Sequence, residues 1–401
     1  MWRAAWIVGS LITVLVLAMI TGFQPLYWLL YVVVAGAVIG YLWAWVQSRG
    51  LETDVYTLSP HPQVGQAVNI RVTVKEKVGL PRMGLRARLV GDFVNMDEDE
   101  FSLRPKGTTT WTVSGLCQRR GLNNIGSLAI MSGDPSGLAN LECYVGQPRT
   151  TLVYPPTVDL SRTLVEGQVT GGEMGESGPL VGHSPAAFMV RKYIPGDSMT
   201  HIHWPTTARM NALMTKEFEG AGINEIWVFV DLQESVQVGT GDNGTEEYCI
   251  TIAASLIKTL VLDGHAVGLV TQGDQAYRFS PAKDPNHMWS MMGGLALARA
   301  RGRTPLATLI SEEGGNLGPG TVAMIVGPWT GPNISNLFQF LTRRGILVVP
   351  IFLDTASFSR PLGSLRPSDA RAEIQDSAFV VRRGDDLSST LGIVLDRLAS
   401  L

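Results

Sequence analysis

An uncharged segment at the N-terminus constrains the fold of this chain more than any other feature. Between Arg3 and Arg49 the sequence contains no Asp, Glu, Lys, Arg or His. A helix needs about 20 apolar residues to cross the ~30 Å hydrocarbon layer of a bilayer, and this segment has room for two such helices. We predict a transmembrane hairpin over residues 1–50, with spans at about 4–20 and 26–46.

Tryptophan placement and flanking charge agree with a membrane hairpin. Half of the 10 tryptophans lie near the ends of the predicted spans: Trp2, Trp6, Trp28, Trp43 and Trp45. Amphipathic rings favour the membrane interface. A cleaved signal peptide is the alternative, but its apolar region is shorter and ends at a small-residue cleavage site. Because Arg3 and Arg49 flank the hairpin on one side, the positive-inside rule predicts a plasma (inner) membrane protein whose bulk is cytoplasmic.

The composition of the chain and the absence of three catalytic motifs exclude several classes of function. The chain has 401 residues, a net charge of −3 and only three cysteines. Without a basic field, a nucleic-acid partner is not expected. The cysteines lie far apart and cannot form a disulfide framework. The sequence has no Walker A motif, no Gly-x-Ser-x-Gly elbow and no His-Glu-x-x-His pair. We therefore expect a protein that is not an enzyme.

Residues 51–160 have the pattern of a β-sandwich. Apolar and polar residues alternate over 68–75 and again over 84–90, and turn residues follow at short intervals. Period-two alternation of this kind indicates strands with one buried face. Residues 161–220 are predicted to hold a linker, rich in Gly over 166–184, and then an unusual polar segment.

Residues 221–401 have the pattern of an α/β domain. Four continuous apolar runs alternate with helical patterns: 226–230, 266–270, 322–326 and 346–353. Such runs indicate strands of a parallel sheet that is covered by helices on both faces. We predict a Rossmann-like sheet of this type.

Asp231 follows the first of these runs and so lies at the carboxyl end of a predicted strand. Ligands of open α/β sheets bind at the carboxyl ends of the strands. The stretch Asp231-Leu-Gln-Glu-Ser235 resembles the Asp-x-Ser-x-Ser start of the metal-ion-dependent adhesion site in von Willebrand factor type A domains. Mg²⁺ prefers hard oxygen ligands, so Asp231 and Ser235 are the candidate ligands. Gln233 replaces the first serine, and the later loop at residues 327–330 has no carboxylate, which indicates a degraded site. The alternative is that Asp231 caps the following loop.

The densest polar segment is 191–209, with two His, a Trp and several charged residues. Asp197, His201 and His203 fit a set of metal ligands or an acid–base set, as in a metal-dependent hydrolase. The favoured alternative is a buried network in which Arg191 or Arg209 pairs with Asp197. In that network Trp204 is a core anchor, whose truncation to Ala costs about 3–5 kcal/mol.

This segment resembles the signature of domain-of-unknown-function family 58. The resemblance rests on Arg-x-Tyr-x-Pro-Gly-Asp-Ser, followed by Ile-His-Trp and Ala-Arg. The signature residues are Arg191, Tyr193, Pro195, Gly196, Asp197, Ser198, His203, Trp204, Ala208 and Arg209. The turns at 120–121 and 134–138 resemble those of the family as well.

The resemblance implies a fold, a partner and a class of function. Members are membrane proteins associated with MoxR-type AAA+ ATPases, and the C-terminal fold is von Willebrand type A-like. We expect a membrane-anchored adaptor or scaffold that works with such an ATPase in assembling cell-envelope or secreted complexes. The alternatives are the hydrolase that uses Asp197, His201 and His203, and a metal-dependent receptor that uses Asp231 and Ser235.

Overall fold

The computed structural model describes residues 2–93, 99–133, 140–160, 188–193, 202–218, 225–328, 334–359 and 378–399. The chain divides into two compact units, Met1–Tyr154 and Pro155–Leu401. We call them the N-terminal unit and the C-terminal unit. The finer division, with boundaries at residues 50, 160 and 220, stays a prediction.

Two helices begin the N-terminal unit. Helix α1 (Trp2–Thr21) and helix α2 (Gln24–Ser48) are separated by two residues, one of which is Gly22 with a φ of 61°. Within the described part of the chain, α2 is the one helix long and apolar enough to cross a membrane, whereas the apolar stretch Ile12–Thr21 is shorter. At about 1.5 Å per residue, α2 is long enough to span the ~30 Å hydrocarbon layer. One membrane helix therefore has structural support, and a second span stays a prediction.

Nine strands follow α2 in the described part of this unit. They are β1 (Leu51–Thr57), β2 (Ala67–Glu76), β3 (Arg82–Leu89), β4 (Asp99–Leu103), β5 (Thr108–Leu116), β6 (Gly121–Ile125), β7 (Leu128–Gly133), β8 (Asn140–Val145) and β9 (Arg149–Val153). They pair antiparallel in the orders β1-β2-β5, β4-β3-β7-β8 and β6-β9. Ile70 from the first sheet shares one core with Leu85 and Ile130 from the second, as the alternation predicts.

The C-terminal unit alternates strands and helices. Its elements are β10 (Phe188–Lys192), α3 (Trp204–Met210), β11 (Met214–Phe218), β12 (Glu225–Val230), α4 (Thr245–Leu262), β13 (Val267–Gln272), β14 (Ala276–Ala282), α5 (Pro285–Leu297), α6 (Leu306–Glu313), β15 (Thr321–Pro328), α7 (Ile334–Arg343), β16 (Leu347–Leu353), α8 (Thr355–Phe358), β17 (Phe379–Val381) and α9 (Leu387–Ala399).

Six of these strands form one sheet in the order β14-β13-β12-β15-β16-β17. Every neighbouring pair is parallel except β13 and β14. The parallel sheet predicted from the apolar runs is therefore confirmed. All eight residues of β15 are buried, because a central strand packs against neighbours on both faces. Strands β10 and β11 form a separate antiparallel pair.

Candidate functional site

Asp231 lies where the direction of strand order reverses. The chain runs from β12 to β13 and β14 on one side, and then to β15, β16 and β17 on the other. The carboxyl ends of β12 and β15 therefore flank the topological switch point, the usual ligand position in open α/β sheets. Asp231 follows β12, and its N–H donates to the carbonyl of Val326 on β15 at 2.9 Å.

Hydrogen bonds hold the loop after Asp231 in a fixed shape. The N–H of Gln233 donates to Asp231 Oδ1 at 3.0 Å, and Gln233 Nε2 donates to Ser235 Oγ at 2.7 Å. Gln237 Nε2 donates to the carbonyl of Asp231 at 2.9 Å, while Thr245 Oγ1 donates to Gln237 Oε1 at 2.7 Å. Gln233 thus links the two predicted metal ligands. The carboxylate also caps the loop through Gln233, as the alternative interpretation predicted.

Burial changes the acidity of Asp231. Its side chain is almost inaccessible, with the residue 3% exposed. Desolvation raises the pKa of Asp231 to about 6, although the hydrogen bond from the N–H of Gln233 opposes this shift. The buried thiol of Cys249 has a pKa well above its ordinary value, first because of desolvation and then because of the negative charge of Asp231.

Gly327 allows the close approach of β15 to Asp231. A Cβ on Gly327 would lie 2.6 Å from Cβ of Asp231, which is too close for two carbon atoms. The residue at this position therefore cannot supply a side-chain ligand. The side-chain oxygens of the described loop are two carboxylates, from the buried Asp231 and the exposed Glu234, and neutral groups of Gln233 and Ser235. Mg²⁺ is held by one or two carboxylates and keeps several waters, so this set fits a weak site at most.

The signature residues lie partly in described structure. Arg191 is in β10, opposite Thr215 of β11, and the N–H of Tyr193 donates to the carbonyl of Leu213 at 2.9 Å. Pro195, Gly196, Asp197, Ser198 and His201 lie outside the described residues. The predicted pairing of Asp197 and the predicted acid–base set therefore stay predictions.

His203 begins α3 as its N-cap. Its Nδ1 accepts a hydrogen bond from the N–H of Thr206 at 3.3 Å and lies 2.7 Å from the hydroxyl of the same residue. At the other end of α3, Asn211 ends the helix in the left-handed conformation, with a φ of 49°. The N–H of Met214 donates to Thr207 Oγ1 at 3.0 Å, which ties α3 to β11.

Trp204 is exposed, and the prediction that it anchors the core is wrong. The residue is 65% exposed, and no residue of α3 is buried. Met210 is as exposed as Trp204, and Leu213 is exposed just beyond the helix. The physical reason is that hydrogen bonds to His203 and Thr207 fix α3 without covering its outer side. Ala208 and Arg209 are also exposed. We call Trp204, Met210 and Leu213 the α3 surface.

Two features of the site could not be anticipated from the motif at Asp231. The link from Gln237 to Thr245 joins positions that no motif pairs. The close approach at Gly327 depends on the pairing of β12 with β15, which brings together residues far apart in sequence. The glycine at the end of an apolar run was the available signal, because glycine in a strand marks close backbone approach.

Comparison with known proteins agrees with the central signature. Residues 189–355 match the family described as Protein of unknown function DUF58. The uncharacterized protein YeaD of Bacillus subtilis (strain 168) is 28% identical over 194 residues, which cover 48% of this chain and 47% of that protein. The chain thus spans about half the length of this curated relative.

Similarity to solved structures is low. Proximal thread matrix protein 1 from the mussel byssus matches 44% of this chain and 47% of its own, at 15% identity and a TM-score of 0.31. The CARDB domain of PF1109 from Pyrococcus furiosus matches 26% of this chain and 94% of its own, at 15% identity and a TM-score of 0.20. With TM-scores this low, neither similarity supports a conclusion about the fold or the function of this chain. The match over residues 189–355 confirms the resemblance to the DUF58 family seen in the signature, and that similarity is established for this segment of the chain.

Proposed function

We propose that this chain is a membrane-anchored, non-enzymatic adaptor that works with a MoxR-type AAA+ ATPase on cell-envelope or secreted complexes. The observation that carries the proposal is the α3 surface, which lies inside the segment that matches the DUF58 family. An exposed Trp on a short helix that carries a second exposed apolar residue is typical of a protein contact, because Trp supplies large apolar area at binding hot spots.

The contacts of α3 support a permanent surface rather than a loose segment. The N-cap at His203, the left-handed residue Asn211 and the bond from Met214 to Thr207 fix both ends of the helix. A surface that is already ordered loses little conformational entropy when a partner binds.

The proposed anchor is the pair α1 and α2, as two spans in the plasma membrane with the bulk of the chain cytoplasmic. Helix α1 packs against α2, and the buried residues of the two helices include the small ones Ala18, Gly40 and Ala44. Small residues let membrane helices approach closely. The C-terminal unit is the proposed von Willebrand type A-like domain, supported by its sheet order and by Asp231 at the switch point.

Of the three residues proposed for the hydrolase, the structure describes His203 alone. Nδ1 of His203 is occupied by its contacts with Thr206. Within the ranges that the structure describes, no three His, Cys, Asp or Glu residues are grouped to hold a metal. No observation on the described residues therefore favours the hydrolase built on Asp197, His201 and His203.

The test is recovery of partners from native membranes. The full-length chain is crosslinked mildly and purified, and its partners are identified by mass spectrometry. We expect an AAA+ ATPase with the wild type and its loss with Trp204→Ala and with Met210→Ala. Because Trp204 is exposed, its truncation should change the free energy of unfolding by no more than about 0.5 kcal/mol.

Leu262→Ala is the matched control. Leu262 is 70% exposed, close to the exposure of Trp204, but it lies at the end of α4. This variant should retain the ATPase. Equal recovery in all four proteins would place the contact elsewhere, and absence of any AAA+ protein from the wild type would overturn the adaptor.

Asp231 favours a second candidate, a metal-dependent ligand receptor. A buried carboxylate with a raised pKa at a switch point is a typical ligand-binding arrangement. Titration calorimetry with Mg²⁺ and Mn²⁺ tests this function on the full-length chain. Heat that disappears in Asp231→Asn but persists in Asp242→Asn, which changes an exposed carboxylate, would support it. An absence of heat at millimolar metal would end it.

A further inference from the structure

A buried ion pair fixes the last turn of α2 to the sheets of the N-terminal unit. Arg82 Nη2 lies 3.3 Å from Glu76 Oε1, and both side chains are inaccessible to solvent. Arg82 also donates to the carbonyl of Val46 and, at 2.8 Å, to that of Arg49. The last carbonyls of a helix have no partner within the helix, so Arg82 supplies donors that the helix end lacks.

The same ion pair holds the loop between β2 and β3 at the end of α2. Oxygens of Glu76 accept from the N–H groups of Val78 at 2.9 Å, Gly79 at 2.7 Å and Lys106 at 2.9 Å. Burial on its own raises the pKa of Glu76, but these hydrogen bonds outweigh it and hold the pKa at about 2. The carboxylate is therefore charged at neutral pH, and the loop is fixed beside the helix.

Further contacts attach β3 and β8 to the end of α2. The N–H of Met83 donates to Gln47 Oε1 at 3.3 Å, and Cys143 Sγ donates to the carbonyl of Ser48 at 3.2 Å. If α2 crosses a bilayer, the headgroup layer lies near its last turn. Residues bonded to that turn therefore lie at the level of the headgroups.

This loop exposes apolar side chains where a water-facing turn would carry polar ones. Val78 is 59% exposed and Met83 is 69% exposed, and Leu80 between them is exposed too. A Cβ on Gly50, the residue after the helix end, would overlap Cγ2 of Val78, so the loop is in contact with the point where the chain leaves α2.

Cationic side chains lie in and next to this loop, although Lys77 is also paired with Glu52. Lys77, Arg104 and Lys106 are exposed around the loop, and the side chain of Lys106 passes near Gly79. The guanidinium of Arg49 lies 4.3 Å from the ring centroid of Trp45, an arrangement suited to the interface. Apolar residues beside cations match a bilayer surface with anionic headgroups.

We propose that residues 77–83 form a lipid-contacting surface that dips into the membrane interface beside α2. The inference rests on the membrane anchor in the proposed function, and it does not depend on the ATPase. Its consequence is that the β-sheets of the N-terminal unit lie directly on the bilayer. The occupant of the surface is lipid, because the exposed Val78 lies against Gly50, where the chain leaves the proposed membrane helix.

Depth-dependent fluorescence quenching tests the proposal on the full-length chain in vesicles of phosphatidylcholine and phosphatidylglycerol. A solvent-sensitive dye is attached to Val78→Cys and to Met83→Cys, and bromine atoms on the acyl chains act as the quencher. Cys117 and Cys249 are buried but Cys143 is half-buried, so every cysteine is introduced into a Cys143→Ser chain, and that chain without an added cysteine gives the background. We expect blue-shifted emission and loss of most of the fluorescence at both positions.

Leu58→Cys and Leu122→Cys are the matched controls. Leu58 is 41% exposed and Leu122 is 67% exposed, so both are apolar surface positions like those under test. Leu58 follows β1 at its far end, because Leu51 pairs with Glu76 and Thr57 pairs with Ile70. The separation along β1 is about 20 Å at roughly 3.3 Å per residue. Labels at these positions should not be quenched.

Val38→Cys, in the middle of α2, separates two kinds of failure. Quenching at Val38 with none beyond the controls at Val78 and Met83 would overturn the lipid-contacting surface and leave the anchor standing. No quenching at Val38 would overturn the anchor itself, and the surface with it. Equal quenching at Val78 and Leu58 would also overturn the proposal, because the contact would then not be specific to this end of the sheets.

Discussion

At the scale of single residues, burial decides how Asp231 responds to pH. The pKa of this carboxyl is about 6 in the folded chain, whereas its ordinary value is 3.8. The folded state therefore holds the proton more tightly than the unfolded state does. Stability from this group is highest below the ordinary pKa, falls as pH rises through the interval, and is constant above the folded pKa.

Asp231→Asn should remove this pH dependence. The amide oxygen of Asn can still accept from the N–H of Gln233, so the loop keeps its hydrogen bond. We expect the variant to gain on the order of 3 kcal/mol over the wild type at neutral pH, and to lose that advantage near pH 4. Denaturant unfolding across this pH interval measures the difference. Asp242→Asn, which changes an exposed carboxylate, serves as the control, and parallel curves for wild type and Asp231→Asn would contradict the prediction.

Trp204 and Asp231 show how far the surroundings of a single residue can be predicted from the sequence. The end of an apolar run identified Asp231, because parallel strands bring their carboxyl ends to one edge of the sheet. The composition around Trp204 indicated a buried anchor, since large aromatic residues are highly buried on average. Which side of α3 is covered depends on the β10–β11 pair and on hydrogen bonds at Thr207, and these contacts are set by the tertiary fold.

At the scale of elements, strands β12 and β15 approach each other through a glycine. Gly327→Ala places a Cβ 2.6 Å from Cβ of Asp231, so the strands must move apart. We expect a loss of about 1–3 kcal/mol in the free energy of unfolding, the usual cost of overpacking a core. Chemical denaturation measures it.

Gly318→Ala is the control for that substitution. A Cβ at Gly318 would have no atom within 4 Å, so this variant should unfold at the wild-type denaturant concentration. If Gly327→Ala were equally stable, the packing of β15 against Asp231 would be looser than the structure shows.

The junction between α2 and the sheets depends on Glu76. Glu76→Gln removes one charge of a buried pair and leaves Arg82 without a counter-charge. Breaking a buried pair in this way costs about 3–5 kcal/mol. Glu52→Gln, which breaks the exposed pair with Lys77, should cost no more than about 1 kcal/mol. Thermal or denaturant unfolding of the full-length chain compares the two, and equal losses would contradict the prediction.

Strands could be predicted from the sequence where a single property, such as burial of both faces, determines their composition. The runs that became β12, β15 and β16 are apolar throughout because both faces of those strands are buried. Strand β14 was not predicted, because an edge strand has partly exposed faces and its composition is mixed. The Arg82–Glu76 pair was not predicted either, since alternation in β2 and β3 suggests exposed positions for charged residues.

At the scale of the whole molecule, the two units carry buried carboxylates with opposite shifts. Glu76 of the N-terminal unit has a pKa of about 2, below its ordinary 4.5, so its stabilising contribution is present above 4.5 and is lost as pH falls toward 2. Asp231 of the C-terminal unit has a raised pKa, because burial of its charged form is unfavourable. Protonation at low pH therefore removes the destabilisation that the buried charge causes. The two groups therefore make the units respond to acid in opposite directions.

Between about pH 6 and about pH 3, protonation of Glu76 should destabilise the N-terminal unit by about 2 kcal/mol, and protonation of Asp231 should stabilise the C-terminal unit by about 2.5 kcal/mol. Hydrogen exchange of the full-length chain, corrected for the intrinsic effect of pH, separates the units by peptide. We expect protection of β2 and β3 to fall relative to β12 and β15 upon acidification. Asp231→Asn should abolish the gain in the C-terminal unit without changing the loss in the other. Parallel loss of protection in both units of the wild type would show that neither carboxylate governs the acid response.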